Sequence, residues 1–238
     1  MKLAPSLHRV GSDLVNSYLV ADASGVTVID AGLPGNYADL RAELAAMGRS
    51  IDDVRAVILT HADTDHIGYA ERLRRENAIP IRVHELDAAR ARGEDKSNGK
   101  AGPMKLLPLL GFLWYGLRHG SLRIPHIEEV ATFKEGETLD LPGEPRVIHL
   151  PGHTAGSVAF HVAAVDALFV GDALTTRSVL TGVIGLQPAP FTLEPATALA
   201  SLSHLDGIAA TWVLPGHGPP WNGGVAEALS RVREAAAS

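Results

Sequence analysis

The sequence predicts an α/β fold in which helices cover a mixed β-sheet. Two observations point there: short apolar runs rich in Val, Ile and Tyr recur along the chain, and helical patterns separate the later runs but not the earliest. The runs "LVNSYLVA" (14–21) and "GVTVID" (25–30) stand close enough to pair as a hairpin. After them come "AVILT" (56–60), "IRVH" (81–84), "RVIHL" (146–150), "SVAFHV" (157–162), "ALFVG" (167–171) and "TWVL" (211–214). Helical patterns are expected over 37–47, 67–76, 85–92, 195–205 and 225–237. With 238 residues, 46% of them hydrophobic, the chain is long enough to bury a substantial core, and one domain over 1–238 is the simplest organisation.

Composition removes several classes of function. A net charge of −6 argues against a nucleic-acid partner, because the surface as a whole would repel phosphates. There is no cysteine, so a metal would have to be held by nitrogen and oxygen. The N-terminal stretch lacks the apolar core and small-residue cleavage site of a secretory signal, and a cytoplasmic protein is expected. The longest apolar stretch, "LLPLLGFLWYGL" (106–117), is too short to span a bilayer.

Residues 96–126 differ from their surroundings, carrying Lys96, Lys100, Lys105, Arg118 and Arg123 but no acid, and they read as an insertion beside the main domain. Their apolar centre, 104–118, is read as a helix packed in the core or in a homodimer, or as a lid over a lipophilic substrate. A membrane-touching patch is the weaker reading, since the charges lie at the ends of the run.

The chemistry concentrates at strand ends. "HADTDH" (61–66) follows one apolar run, "LPGH" closes two others at 150–153 and 214–217, and "LFVGD" ends with Asp172. In sheets with parallel strands the carboxyl ends form the crevice where side chains from several loops converge. If these ends share an edge, His61, Asp63, Asp65, His66, His153, Asp172 and His217 meet there, enough ligands for two cations. Singly, each is more simply a loop residue or a helix cap, but capping does not explain why His recurs at 153 and 217. The remaining histidines, at 8, 84, 119, 126, 149, 161 and 204, lack this context and are expected in packing or at the surface, although His119 and His126 flank the insertion closely enough to face substrate.

The ordered motifs "THADTDHIG", "LPGHTAGS", "FVGDAL" and "LPGHG" resemble the metallo-β-lactamase superfamily across roughly residues 10–220, with the poorest match at 93–130. The resemblance implies a four-layer αββα sandwich of two mixed β-sheets flanked by helices. It implies a first metal on His61, Asp63 and His153, a second on Asp65, His66 and His217, and Asp172 between them. It further implies hydrolysis of a carbonyl ester, thioester or lactone by a metal-bound hydroxide, with Asp65 also orienting water or shuttling its proton, and a small-molecule acyl substrate. Asp30, in "GVTVIDAG", either orients a ligand His or simply ends a strand.

One position departs from the family pattern. Asp63 stands where most members carry a second His, which makes the first site more anionic. Two divalent ions are expected, zinc first, with Fe or Mn as alternatives. A di-iron or mono-iron redox enzyme is therefore the runner-up, although the flavodiiron relatives carry a flavodoxin domain that this chain is too short to contain. A β-lactamase would call for a signal peptide. A glyoxalase-II-like thioesterase would call for a helical extension with no room after residue 217, and a nuclease for a basic face.

Overall fold

The computed structural model describes residues 1–237. The strands are β1 (Lys2–Ala4), β2 (Leu7–Ser12), β3 (Val15–Asp22), β4 (Gly25–Ile29), β5 (Val54–Ile58), β6 (Ile81–His84), β7 (Ala131–Phe133), β8 (Arg146–His149), β9 (Val158–Val162), β10 (Ala167–Gly171), β11 (Thr175–Arg177), β12 (Ile184–Gln187) and β13 (Trp212–Pro215). The helices are α1 (Tyr37–Ala46), α2 (Thr64–Ile67), α3 (Ala70–Asn77), α4 (Ala88–Ala91), α5 (Leu106–Arg118), α6 (Pro195–Ser201) and α7 (Val225–Ala237).

Seven strands form one sheet in the order β1-β2-β3-β4-β5-β6-β7, and four form a second in the order β13-β10-β9-β8. The first sheet begins antiparallel and turns parallel from β4 onward, where α1, then α2 and α3, provide the crossovers that parallel neighbours require. In the second sheet β13 returns parallel to β10 after α6. The sequence patterns missed the short strands β1, β2, β7, β11 and β12. All but β2 are only three or four residues long, too short for alternation to register, and β2 carries His, Arg and Ser among its apolar residues.

Alternation along the strands builds the layers. On β3, Tyr18 and Val20 face the second sheet and Leu19 faces the helices. On β10, Phe169 faces the first sheet while Leu168 and Val170 face outward. One core, with Ile29, Ile58, Phe133, Phe160, Phe169 and Leu214, fills the space between the sheets. A second packs Leu40, Leu44 and Leu73 on the outer face of the first sheet, and a third packs Leu229 and Val232 of α7 on the outer face of the second. The result is the αββα sandwich.

Helix α5 departs from a core element. Leu106, Leu107, Leu113 and Trp114 are each more than half exposed, which overturns the core-packed reading of 104–118. Pro108, Leu109, Phe112, Tyr115 and Gly116 form its shielded side, at the three- and four-residue spacing of one helix face. No helix among the described residues is long and apolar enough to cross a membrane.

Phe169 is fully buried and meets Tyr18 edge-on at 5.5 Å, so Phe169→Ala is expected to cost about 3–5 kcal/mol in urea unfolding. Leu107→Gln on the outer side of α5 is expected to change stability by less than about 0.5 kcal/mol. A large loss in the second variant would contradict the exposure described.

Candidate metal centre

All seven residues singled out from the sequence come together where the loops that follow β5, β8, β10 and β13 meet. Three groups have ligand atoms lying within 4.8 Å of one another: His61, Asp63 and His153; Asp65, His66 and His217; and His61, His66 and Asp172. Asp172 links the first two, lying 3.1 Å from His217 Nε2, 3.7 Å from His66 Nε2 and 3.8 Å from His153 Nε2. Five of the seven are buried, while Asp63 and Asp65 are partly open to a cleft.

Each imidazole is held by its Nδ1. His66 Nδ1 meets Asp30 at 2.9 Å, and His217 Nδ1 meets the carbonyl of Leu14 at 2.5 Å. His61 Nδ1 lies 3.1 Å from Thr60 Oγ1, and His153 Nδ1 lies 3.2 Å from Thr192 Oγ1. Both threonine hydroxyls already donate elsewhere, Thr60 to Asp30 and Thr192 to the carbonyl of Ala189, so each must accept from the imidazole. A carboxylate and a carbonyl can only accept. All four Nδ1 hydrogens are thus committed, which leaves Nε2 as the lone-pair atom facing the cluster. His61 Nε2, His66 Nε2 and Asp172 Oδ1 are buried without a hydrogen-bond partner among the described residues. Polar atoms are rarely abandoned in this way, and three aimed at one point fit a cation.

The electrostatics ask for the same charge. Burial opposes protonation of His66, yet Asp30, Asp172 and Asp65 raise its pKa to about 10. Burial likewise opposes charge on His217, and Asp172 and Asp65 raise it to about 9. Burial would raise Asp172, but His217, His66 and His153 hold it well below the usual carboxylate range. Burial and the neighbouring His66 hold His61 low. Without an ion, protons on imidazoles balance the carboxylates; a divalent cation would take their place.

The backbone is shaped around this point. Asp30 has φ 61°, an uncommon conformation that Asp tolerates better than most residues, and it accepts from Thr60 N, Thr60 Oγ1 and His66 Nδ1. Of its two readings, orienting a histidine is the one the geometry supports. A methyl group at Gly216 would collide with Asp172 and His66, so only glycine leaves room there. Gly68 has helical angles and packs against the backbone of Gly32 and Leu33, where a side chain would collide.

Sequence reasoning missed Asp87. It is buried, and it accepts from Ala62 N at 2.9 Å, Thr154 Oγ1 at 2.8 Å and Gly156 N at 2.8 Å. It therefore ties the loop carrying His61 to the loop carrying His153. A signal was present, since Asp87 follows β6 as closely as the other acids and histidines follow their strands. On the far side, Asn16 donates to the carbonyls of Pro215 and Gly218, and Tyr18 donates to Pro215, which anchors the loop of His217 to β3.

The cleft, about 530 Å³, is bounded by Asp63, Asp65, Arg90, Phe112, Ile124 and Phe191. Phe112 of α5 stands edge-on to His217 at 6.4 Å. His126 also lines it, whereas His119 stacks on Tyr115. A larger cavity of about 760 Å³ lies beside α6 and α7, where Lys100 is the one titratable residue among the described walls; it lacks the groups for chemistry. Asp87→Ala would leave three donors without their acceptor, and a loss of about 2 kcal/mol or more in urea unfolding is expected. A loss within error of zero would show that the two loops hold without it.

The comparisons with known proteins bear on the fold and the family. Residues 10–217 match the family described as the metallo-beta-lactamase superfamily. The chain is 26% identical over 237 residues to the "Probable metallo-hydrolase YflN" of Bacillus subtilis, spanning 92% of this chain and 86% of that protein. The metallo-beta-lactamase family protein TTHA1429 of Thermus thermophilus superposes with a TM-score of 0.68 at 25% identity, over 98% of this chain and 79% of that one. TTHA1623, solved in a di-iron-bound form, superposes with a TM-score of 0.64 at 28% identity, over 94% and 97%. With the family match spanning most of its length and the same sandwich fold in these solved structures, the chain belongs to the metallo-beta-lactamase superfamily.

Proposed function

We propose that the protein is a dinuclear metal-dependent hydrolase that opens the carbonyl of an ester, thioester or lactone in a small acyl substrate. One observation carries the reading: four imidazoles whose Nδ1 atoms are all engaged turn their Nε2 atoms toward three carboxylates at the floor of an open cleft. His61, Asp63 and His153 would hold one ion, Asp65, His66 and His217 the other, and Asp172 would serve both. When bound, two such ions would supply Lewis acidity and lower the pKa of water in the site toward neutrality. Zinc suits the imidazole-rich donor set, with iron or manganese as alternatives.

The chain's own residues do the rest. Asp65 borders the cleft and lies 3.4 Å from His217 Nε2, so its carboxylate is in position to take a proton from water and return it to the leaving oxygen or sulfur. Phe112, Leu113, Ile124 and Phe191 offer the acyl part an apolar wall. Phe112, close to His217, shields one side of the reacting position from solvent.

A second reading, iron redox chemistry in the same site, is favoured by Asp63, whose oxygen makes the first site harder, and by the di-iron-bound form of TTHA1623. Metal analysis of protein purified without added metal, combined with turnover on a panel of lactones, aryl esters and thioesters, separates the two. The hydrolase reading expects about two equivalents of a divalent ion and turnover of at least one ester class; iron with an oxygen-sensitive spectrum and no ester turnover would replace it. Asp172→Ala is expected to lower metal content and abolish turnover while keeping the native circular dichroism. Full metal occupancy in that variant would remove Asp172 from its linking role.

A further inference from the structure

Asp63 presents its two oxygens to different partners. Oδ2 points into the cluster, 3.2 Å from His153 Nε2 and 3.8 Å from His61 Nε2. Oδ1 points out of it and accepts from Arg90 Nε at 2.5 Å. Arg90 is itself nearly buried, and its Nη1 donates to the Ser97 carbonyl at 2.6 Å and to Ser97 Oγ at 3.3 Å, with Asp95 at 3.6 Å. The guanidinium is thus held in place on α4, between a cluster residue and the start of the 96–126 segment.

An imidazole offers a metal one nitrogen and no charge. A carboxylate offers two oxygens and a full negative charge, so exchanging one for the other ordinarily changes both the number of donor atoms and the charge of a site. Here the second oxygen is taken by a directed N–H, and the carboxylate faces a buried guanidinium. We infer that Arg90 is a positioning residue that makes Asp63 behave as a single-atom, charge-compensated ligand, in effect an imidazole substitute, in the His61–Asp63–His153 site. The inference rests on the proposed metal-binding role of that site. It assigns Arg90 to selecting the ion and keeping it, without touching substrate chemistry.

The test uses the whole chain, loaded with zinc for affinity and with cobalt as a spectroscopic probe. Wild type, R90Q, R90K, D63H and the double variant D63H/R90Q are compared for zinc stoichiometry by elemental analysis and for affinity by competition with a chelator. The melting temperature of each metal-free protein is recorded alongside. R90Q is expected to weaken one of the two zinc equivalents by about 10–100-fold and leave the other unchanged. R90K, which restores charge but not the directed Nε–H, is expected to recover only part of the loss. In the D63H background the same Arg90 substitution is expected to weaken neither equivalent, because there is no second oxygen to hold. With cobalt in place of zinc, R90Q is expected to show weaker visible d–d bands, as the released oxygen adds a donor atom to the ion. Equal loss of zinc with and without Asp63, or unchanged affinity in R90Q, would overturn the role of Arg90 while leaving the dinuclear reading standing. A wild-type protein that takes up no zinc, manganese or iron would end both.

Discussion

The need to find a donor or acceptor for every buried polar atom at one rim of the sandwich governs the rest of this structure. Four imidazoles, several carboxylates and a set of backbone amides lie where strands from both sheets end, largely shielded from water. An unpaired group there would cost about 1–3 kcal/mol. The chain meets the need asymmetrically, giving every Nδ1 a protein partner and leaving Nε2 for the centre. The hydrogen bonds that make burial tolerable are thus the ones that aim the ligands. The strained backbone of Asp30 belongs to the same solution, since its left-handed conformation is offset by three donors, one of them His66.

The two sheets are locked by apolar packing through most of their area but by polar clamps at this rim. Asp87 joins the loops of His61 and His153, and Asn16 and Tyr18 hold the loop of His217 against β3. Because these clamps cross between the sheets, the relative position of the sheets and the spacing of the imidazoles are coupled. A cavity opened in the inter-sheet core would therefore be felt in the cluster as well as in overall stability.

Arg90 and α5 shape the open side of the cluster. The first, nearly buried, donates from Nε to the outward oxygen of Asp63. The second places Phe112 over the cluster and leaves Leu106, Leu107 and Trp114 facing outward, with Arg118 near the Trp114 ring at 5.9 Å. A helix apolar on both sides cannot be oriented by periodicity, since either face could be the buried one. Its orientation is settled by short-range constraints: Tyr115 accepts from Asn36, Gly35 lies against His119, and Lys105 donates to the Leu180 carbonyl.

The α/β class, eight of the strands, the main helices and all seven cluster residues were legible in the sequence. Alternating apolar patterns and His or Asp at strand ends are local signals, and a recurring "LPGH" survives without knowledge of what lies nearby. Only the tertiary structure could decide that Asp30 orients His66, that Asp87 joins two loops of the rim, that Arg90 grips Asp63 and that α5 turns Leu106, Leu107 and Trp114 outward. Each of these depends on which residues become neighbours across tens of positions in the chain. A buried Asp in "HELDAA" and an Arg on a short helix read as ordinary surface residues until folding takes water away from them.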